Sequence, residues 1–247
     1  MKPNVRLSLV LSAIGIAVVG GVLLASGLFV GPDPSRRETA KSSPMDRAAD
    51  REKDVAAALE TMRKEVERKP DDFQARMALA AALGQSREYG EAMEQLRVAG
   101  RLNPKSAEPH LAMSDIFDVA YMLDMSLAAA RAAVAVEPDS VRALTRLGQV
   151  TIGLDWNVAA LRLMSDAVKQ HPDAASLWVV LALVRYQMND LRGALDAVAT
   201  ARRLEPNNRA LDGTLIDIHL KLGNPTEALK AAEAAAGWQP ESTIPKL

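Results

Sequence analysis

Six prolines divide the chain at a constant interval. Pro70, Pro104, Pro138, Pro172, Pro206 and Pro240 follow one another every 34 residues. Proline lacks a backbone N–H and its ring collides with the preceding helical turn, so each one marks a break between helical segments. A period of 34 is that of a helix-turn-helix repeat, and such units bury a continuous core only by stacking on their neighbours.

The rest of the unit keeps the same register. With the proline at position 32, position 20 carries Ala92, Ser126, Ala160, Ala194 and Ala228. Position 27 carries Ala99, Ala133, Ala167, Ala201 and Ala235, and position 8 carries Ala80, Ser114, Gly148, Ala182 and Ile216. Position 7 is Leu79, Met113, Leu147, Leu181 and Leu215. Small residues recur where two helix backbones come close, and long aliphatic side chains fill the space between units. Hydrophobic residues make up 49% of the chain but aromatic residues only 4%. A core so poor in rings is built from Ala, Leu, Val and Met, which favours close-packed helices over a β-sandwich.

This pattern resembles the tetratricopeptide-repeat family over about residues 73 to 240. The resemblance implies an all-α fold, an α-solenoid of five repeats at 73–104, 107–138, 141–172, 175–206 and 209–240 within a domain covering 71–240. Helix pairs are expected near 73–85 and 90–102, 107–119 and 124–136, 141–153 and 158–170, 175–188 and 191–204, and 209–222 and 225–238. Asn224 reads as a capping side chain ahead of Pro225 at the first helical position, and Gly223 suits the end of the preceding helix. The large residue that the family places at position 4 is present as Trp178 and Leu144, but Arg76, His110 and Asp212 replace it elsewhere. Position 11 carries Leu83 and Phe117, then Thr151, Arg185 and His219. Together with Ile216, these departures predict less regular packing in the fifth unit.

A helix is expected over 46–70 ahead of the array. Val55, Leu59, Met62 and Val66 form its one apolar stripe, amid dense charge. It reads as an amino-terminal cap; a short coiled coil is the alternative, since the spacing also fits a heptad seam. At the other end only the tail 241–247 follows the last proline. Leu229, Ala232, Ala236 and Trp238 then fall on a face that no sixth unit covers. Such a face suits a contact, although a mostly alanine surface is also tolerable in water.

From Leu7 to Val30 the chain carries no charge for 24 residues. As a helix this run spans roughly 36 Å, enough to cross a hydrocarbon core of about 30 Å. It reads as a single transmembrane helix behind the basic segment 1–6. A cleaved signal peptide is the alternative, but signal cores are shorter. Ala13, Ala17, Gly21 and Ala25 fall on one face and would let a second helix approach. Residues 31–45, with three prolines up to Pro44, read as a flexible linker. Charge flanks the span on both sides: Lys2 and Arg6 before it, Arg36, Arg37 and Lys41 after it. The clean basic start favours a cytoplasmic amino terminus and a repeat domain outside the cytoplasm; the reverse stays open. Alanine and arginine usage has a bacterial look, which points to the inner (cytoplasmic) membrane and the periplasm.

Chemistry is sparse. The chain has no cysteine, so it carries no disulfide, thiolate metal site or thiol nucleophile. Its three histidines, His110, His171 and His219, are never four apart and have no carboxylate at a metal-binding spacing. No Gly-rich phosphate loop or nucleophile elbow is present. A net charge of -1 argues against nucleic acid as partner. No cofactor, metal, small-molecule substrate or catalytic residue is expected, and the chain is not expected to be an enzyme.

The family resemblance implies a binding role instead. In that family the first helices line a concave groove that holds a peptide or a partner helix. Carried onto this chain, its wall comprises Met77, Ala81 and Gln85; Leu111, Asp115 and Asp118; Arg142, Arg146 and Gln149; Val179, Leu183 and Tyr186; and Asp217 and Lys221. Arg142 and Arg146, one turn apart, either hold a carboxylate or pair with Asp115 or Asp118. Met77, Ala81 and Ala112 stand where a chaperone-tail clamp would need Lys and Asn. The expected function is a membrane-anchored scaffold that binds a partner protein and helps assemble or position an envelope complex. The alternatives are a permanent subunit of a membrane complex and an assembly chaperone resembling that of cytochrome c maturation.

Overall fold

The computed structural model describes residues 44–237, which hold eleven α-helices, one short 3-10 turn and no strand. The expected span over 7–30 with Ala13, Ala17, Gly21 and Ala25, nearly all of the linker, Trp238 and the tail lie outside the described residues. Among the described residues no helix is long and apolar enough to cross a membrane. The chain divides into two compact units, one ending at Glu137 and the other beginning at Pro138.

The first unit holds α1 (Pro44–Arg68), the hairpin α2 (Phe73–Gln85) and α3 (Tyr89–Leu102), and the hairpin α4 (Glu108–Val119) and α5 (Leu123–Val136). The second holds α6 (Val141–Gly153) with α7 (Asn157–Gln170), α8 (Ala175–Gln187) with α9 (Leu191–Leu204), and α10 (Asp212–Lys221) with α11 (Pro225–Ala236).

One rule sets where the longer-range turns fall. α1, α3, α5, α7 and α9 each stop two residues before a proline. The proline ring clashes with the residue before it and drives that residue out of the helical region. Asn103, Glu137, His171 and Glu205 accordingly take φ between -132 and -127 and ψ between 67 and 84. Where the chain restarts, Asp72 accepts from the Ala75 N–H at 3.0 Å and Ser140 from the Ala143 N–H at 3.4 Å.

A second device closes each hairpin. Arg87, Tyr121, Asp155, Asn189 and Gly223, all at position 15, have φ of 62, 59, 63, 62 and 74. Each is the left-handed residue of a helix stop in which the next N–H reaches back five residues. The bonds run from Glu88 to Leu83, Met122 to Phe117, Trp156 to Thr151, Asp190 to Arg185 and Asn224 to His219, at 2.8–3.1 Å. Gly223 thus ends a helix as expected. Asn224 stands at the N-cap, where its N–H closes the hairpin behind it, but its side chain makes no capping bond.

Small residues meet where the pattern requires. In the first unit Ser114 Oγ and Ser126 Oγ lie 2.9 Å apart, fully buried, and Ser126 also donates to the Ser114 carbonyl. In the second, Gly148 faces Met164 and Val180, and Ala182 and Ala194 are sealed from solvent. Position 4 has two chemistries in one place. The Trp178 indole donates to the Pro172 carbonyl at 2.9 Å, and the Arg76 guanidinium donates to the Pro70 carbonyl at 2.6 Å, each six residues back. At the same position Asp212 instead pairs with Arg202 and Arg209.

α1 lies along the first hairpin by its carboxy-terminal half. Leu59 and Val66, with Met62 beside them, join Leu79, Leu83 and Ala92 in one cluster. Arg63 forks onto Glu91 at 3.0 and 2.7 Å and reaches Glu88 at 2.7 Å. This pairing holds the Glu91 carboxyl below the usual carboxylate range and raises the guanidinium. Residues 51–58 are exposed, so Val55 does not join the stripe's contacts. The fifth hairpin departs most. A 3-10 turn over Arg209–Leu211 takes the place of the expected first helical turn, and Ile216 is only half-buried. Asn208, where Asp72 and Ser140 cap their helices, turns its side-chain amide to Glu205 at 2.8 Å.

Candidate functional site

The residues expected to face a ligand do not share one environment. In the first unit Met77 is half-buried and Gln85 exposed on α2. On α4 Leu111 is buried among core residues, while Asp115 and Asp118 are half-buried and engaged with other groups of the chain.

The second unit makes the more open wall. α8 is joined to α6 by Thr145 Oγ1 and Ser176 Oγ, 3.1 Å apart. It is joined to α10 by Lys221, whose Nζ lies 3.9 Å from the centroid of the Tyr186 ring. An ammonium over an aromatic face is attracted by the ring quadrupole. Along these three helices Arg142, Asp217 and Lys221 are exposed, and Gln149, Leu183 and Tyr186 are half-buried. Val179 and Arg146 are buried, with 9% and 8% of their surface exposed. Arg142 and Arg146 are both engaged with other groups of the chain. The two arginines differ in burial. Four residues advance a helix by about 40° beyond a full turn, which suffices to carry Arg146 from the open face into the packing.

The wall thus offers an amide, an aliphatic floor and a ring beneath an ammonium, with Arg142 exposed at its edge and engaged with other groups of the chain. That mixture suits an extended or helical polypeptide with apolar and acidic side chains. Among the described residues no group of three His, Asp or Glu is placed to hold a metal ion.

At the far end Leu229 is 60% exposed, Ala236 exposed and Ala232 half-buried; Trp238 lies outside the described residues. Exposed apolar residues that the repeat pattern did not single out sit at two hairpin turns. Val119, Tyr121, Met122 and Met125 form one group, in the first unit. Trp156 and Val158 belong to another in the second unit, where they line a shallow depression with Asp155, Asn157, Ala159 and Arg162. For the first group the signal in the sequence is a breach of turn chemistry: Tyr121 stands where Asn, Asp or Gly suit the turn.

No curated protein matches the chain. Profiles described as tetratricopeptide repeat match residues 52–132, and residues 157–208 and 180–242. Solved structures share the fold at low identity. A thermophilic repeat protein of Thermus thermophilus is 20% identical, with 69% of this chain and 93% of that one covered and a TM-score of 0.59. PilF of Pseudomonas aeruginosa is 14% identical, with 93% and 92% covered and a TM-score of 0.60. YrrB, described as having an unusual peptide-binding site, is 18% identical, with 74% and 94% covered and a TM-score of 0.51. Both units show the same helical hairpins, and a tetratricopeptide-repeat profile is met in each: the chain belongs to the tetratricopeptide-repeat family.

Proposed function

We propose that this chain is a membrane-anchored scaffold whose repeat domain holds a segment of a partner protein, outside the cytoplasm of a bacterium, to assemble or position an envelope complex. Tetratricopeptide-repeat proteins are in general scaffolds for protein interaction. The observation that carries the reading here is the wall of α6, α8 and α10, where Lys221 lies over Tyr186 beside the half-buried Leu183. The description of YrrB as peptide-binding supports a polypeptide as the occupant. The uncharged run of 24 residues, Leu7 to Val30, supports the anchor, and the basic residues Lys2 and Arg6 support its orientation.

The test is a detergent pull-down with the full chain. Arg142→Glu and Lys221→Glu reverse exposed charges on the wall, and Arg203→Glu reverses an exposed charge on the outer helix α9. The wall variants are expected to lose a partner that the parent and the Arg203 variant retain. An unchanged set of captured proteins places the contact elsewhere.

A further inference from the structure

We infer that Met122 and Met125 form an oxidant-responsive pair, which hydrogen peroxide converts to sulfoxides and so turns the apolar patch at the α4–α5 turn polar. The chain has no cysteine, so thioethers are its only sulfur. Met122 and Met125 are 51% and 50% exposed at the start of α5, three residues apart and therefore neighbours on its surface. Among the residues whose burial is described, Met62, Met77, Met93 and Met113 are half-buried, and Met164 is sealed in the core beside Gly148. Met188 is 40% exposed but stands alone at its turn.

The chemistry orders the methionines by access. A thioether reacts through a sulfur lone pair that the oxidant must reach, so exposure sets the rate. The lone pair attacks one peroxide oxygen, and the S–O bond forms as the O–O bond breaks. The departing hydroxide takes the proton of the transferred oxygen and leaves as water. Sulfur gives up two electrons, and a flexible apolar side chain becomes a polar one with an acceptor oxygen. The setting makes this a switch and not damage. Val119 and Tyr121 complete the exposed patch, so half of its large side chains change from apolar to polar. The residues that hold α4 to α5 are others: Ser114, Ser126, Leu127 and Ala130 are buried between the helices. The hairpin therefore keeps its packing when the pair is oxidised. Exposure also permits reversal, since a methionine sulfoxide reductase must enclose the side chain while a dithiol removes the oxygen as water.

The full chain in mild detergent, treated with hydrogen peroxide and mapped by peptide mass spectrometry, tests this. Met122 and Met125 are expected to gain oxygen at least about fivefold faster than Met93 and Met113, and all four at one rate in urea. Circular dichroism is expected to stay unchanged while the pair is oxidised. A dye that fluoresces on apolar surface is expected to lose signal on oxidation. Sulfoxide reductases of both epimer classes, with a dithiol, are expected to restore it. The double variant Met122→Leu, Met125→Leu keeps an apolar patch without sulfur and is expected to retain its dye signal through the same treatment. Met188 remains in both proteins and controls for oxidation elsewhere. The rate comparison needs only the parent chain, so it stands whatever the variant does. Equal rates at Met122, Met125 and Met113 in the folded chain, a helical signal lost in step with oxidation, or the same loss of dye signal in the variant overturns the proposal.

Discussion

Gly100 and Gly148 are both helical glycines, yet a methyl group added to each meets a different surrounding. At Gly100 the nearest atom is the Pro109 Cβ at 3.8 Å, an ordinary contact. At Gly148 a Cβ would fall 2.7 Å from Met164 Cε and 3.0 Å from Val180 Cγ1, with both side chains sealed in the core. Gly100→Ala is expected to stabilise by about 0.5–1 kcal/mol, the helix-propensity gain. Gly148→Ala has the same gain set against an overpacking cost of about 1–3 kcal/mol, for a net loss of about 1 kcal/mol. Urea midpoints that move in the same direction would show that packing does not decide the sign. The register of small residues at positions 8, 20 and 27 was legible in the sequence because it follows from how closely two backbones can approach. What Arg76 does was not. It reads as a lost tryptophan, and only the geometry shows its guanidinium on the same proline carbonyl that Trp178 reaches in the second unit. The burial of Arg146 was not legible for a related reason: periodicity gives a helix face to within a residue, and a buried arginine at its margin looks like an exposed one.

At the scale of elements, helix ends came through best where proline dictated them and least well where a turn was strained. The five stops before proline follow from one steric clash. The left-handed residue at position 15 has no residue signature, since Arg, Tyr, Asp, Asn and Gly all occupy it. The turn is imposed by the packing of the two helices it joins, so local propensity is overridden. The first helix was half legible. Its stripe of Val55, Leu59, Met62 and Val66 suits either a cap or a coiled-coil seam, and packing separates them: Leu59 and Val66 are buried against α2, and Val55 is 49% exposed. For a helix whose described buried residues, Leu59 and Val66, lie in its carboxy-terminal half, Leu59→Ala is expected to cost about 2 kcal/mol, the lower end of buried leucine truncations. Val55→Ala is expected to stay within about 0.5 kcal/mol, as an exposed substitution should. Thermal or urea denaturation of the two variants measures the contrast. A large loss at Val55 would mean that a second helix covers the seam.

For the whole molecule, the proposed attachment and the folding of the repeat domain are expected to be separable. Among the α1 residues whose burial is described, the first buried one is Leu59, and residues 51–58 ahead of it are exposed. Nothing described ahead of Leu59 contributes to the core, so a chain lacking residues 1–43 keeps every buried contact seen here. Deleting those residues is expected to leave the helical signal and the thermal midpoint unchanged and to move the protein from the membrane fraction to the soluble one. The absence of cysteine extends the same experiment to orientation. Ser43→Cys in the full chain is expected to react with an impermeant maleimide in intact spheroplasts, since the proposed orientation puts everything after Val30 outside the cytoplasm. Labelling only after lysis would put the repeat domain in the cytoplasm, and its partners with it. A deleted chain that stays with the membrane would instead assign attachment to the repeat domain, where Leu229 and the Tyr121, Met122 and Met125 group are the exposed apolar surfaces to examine.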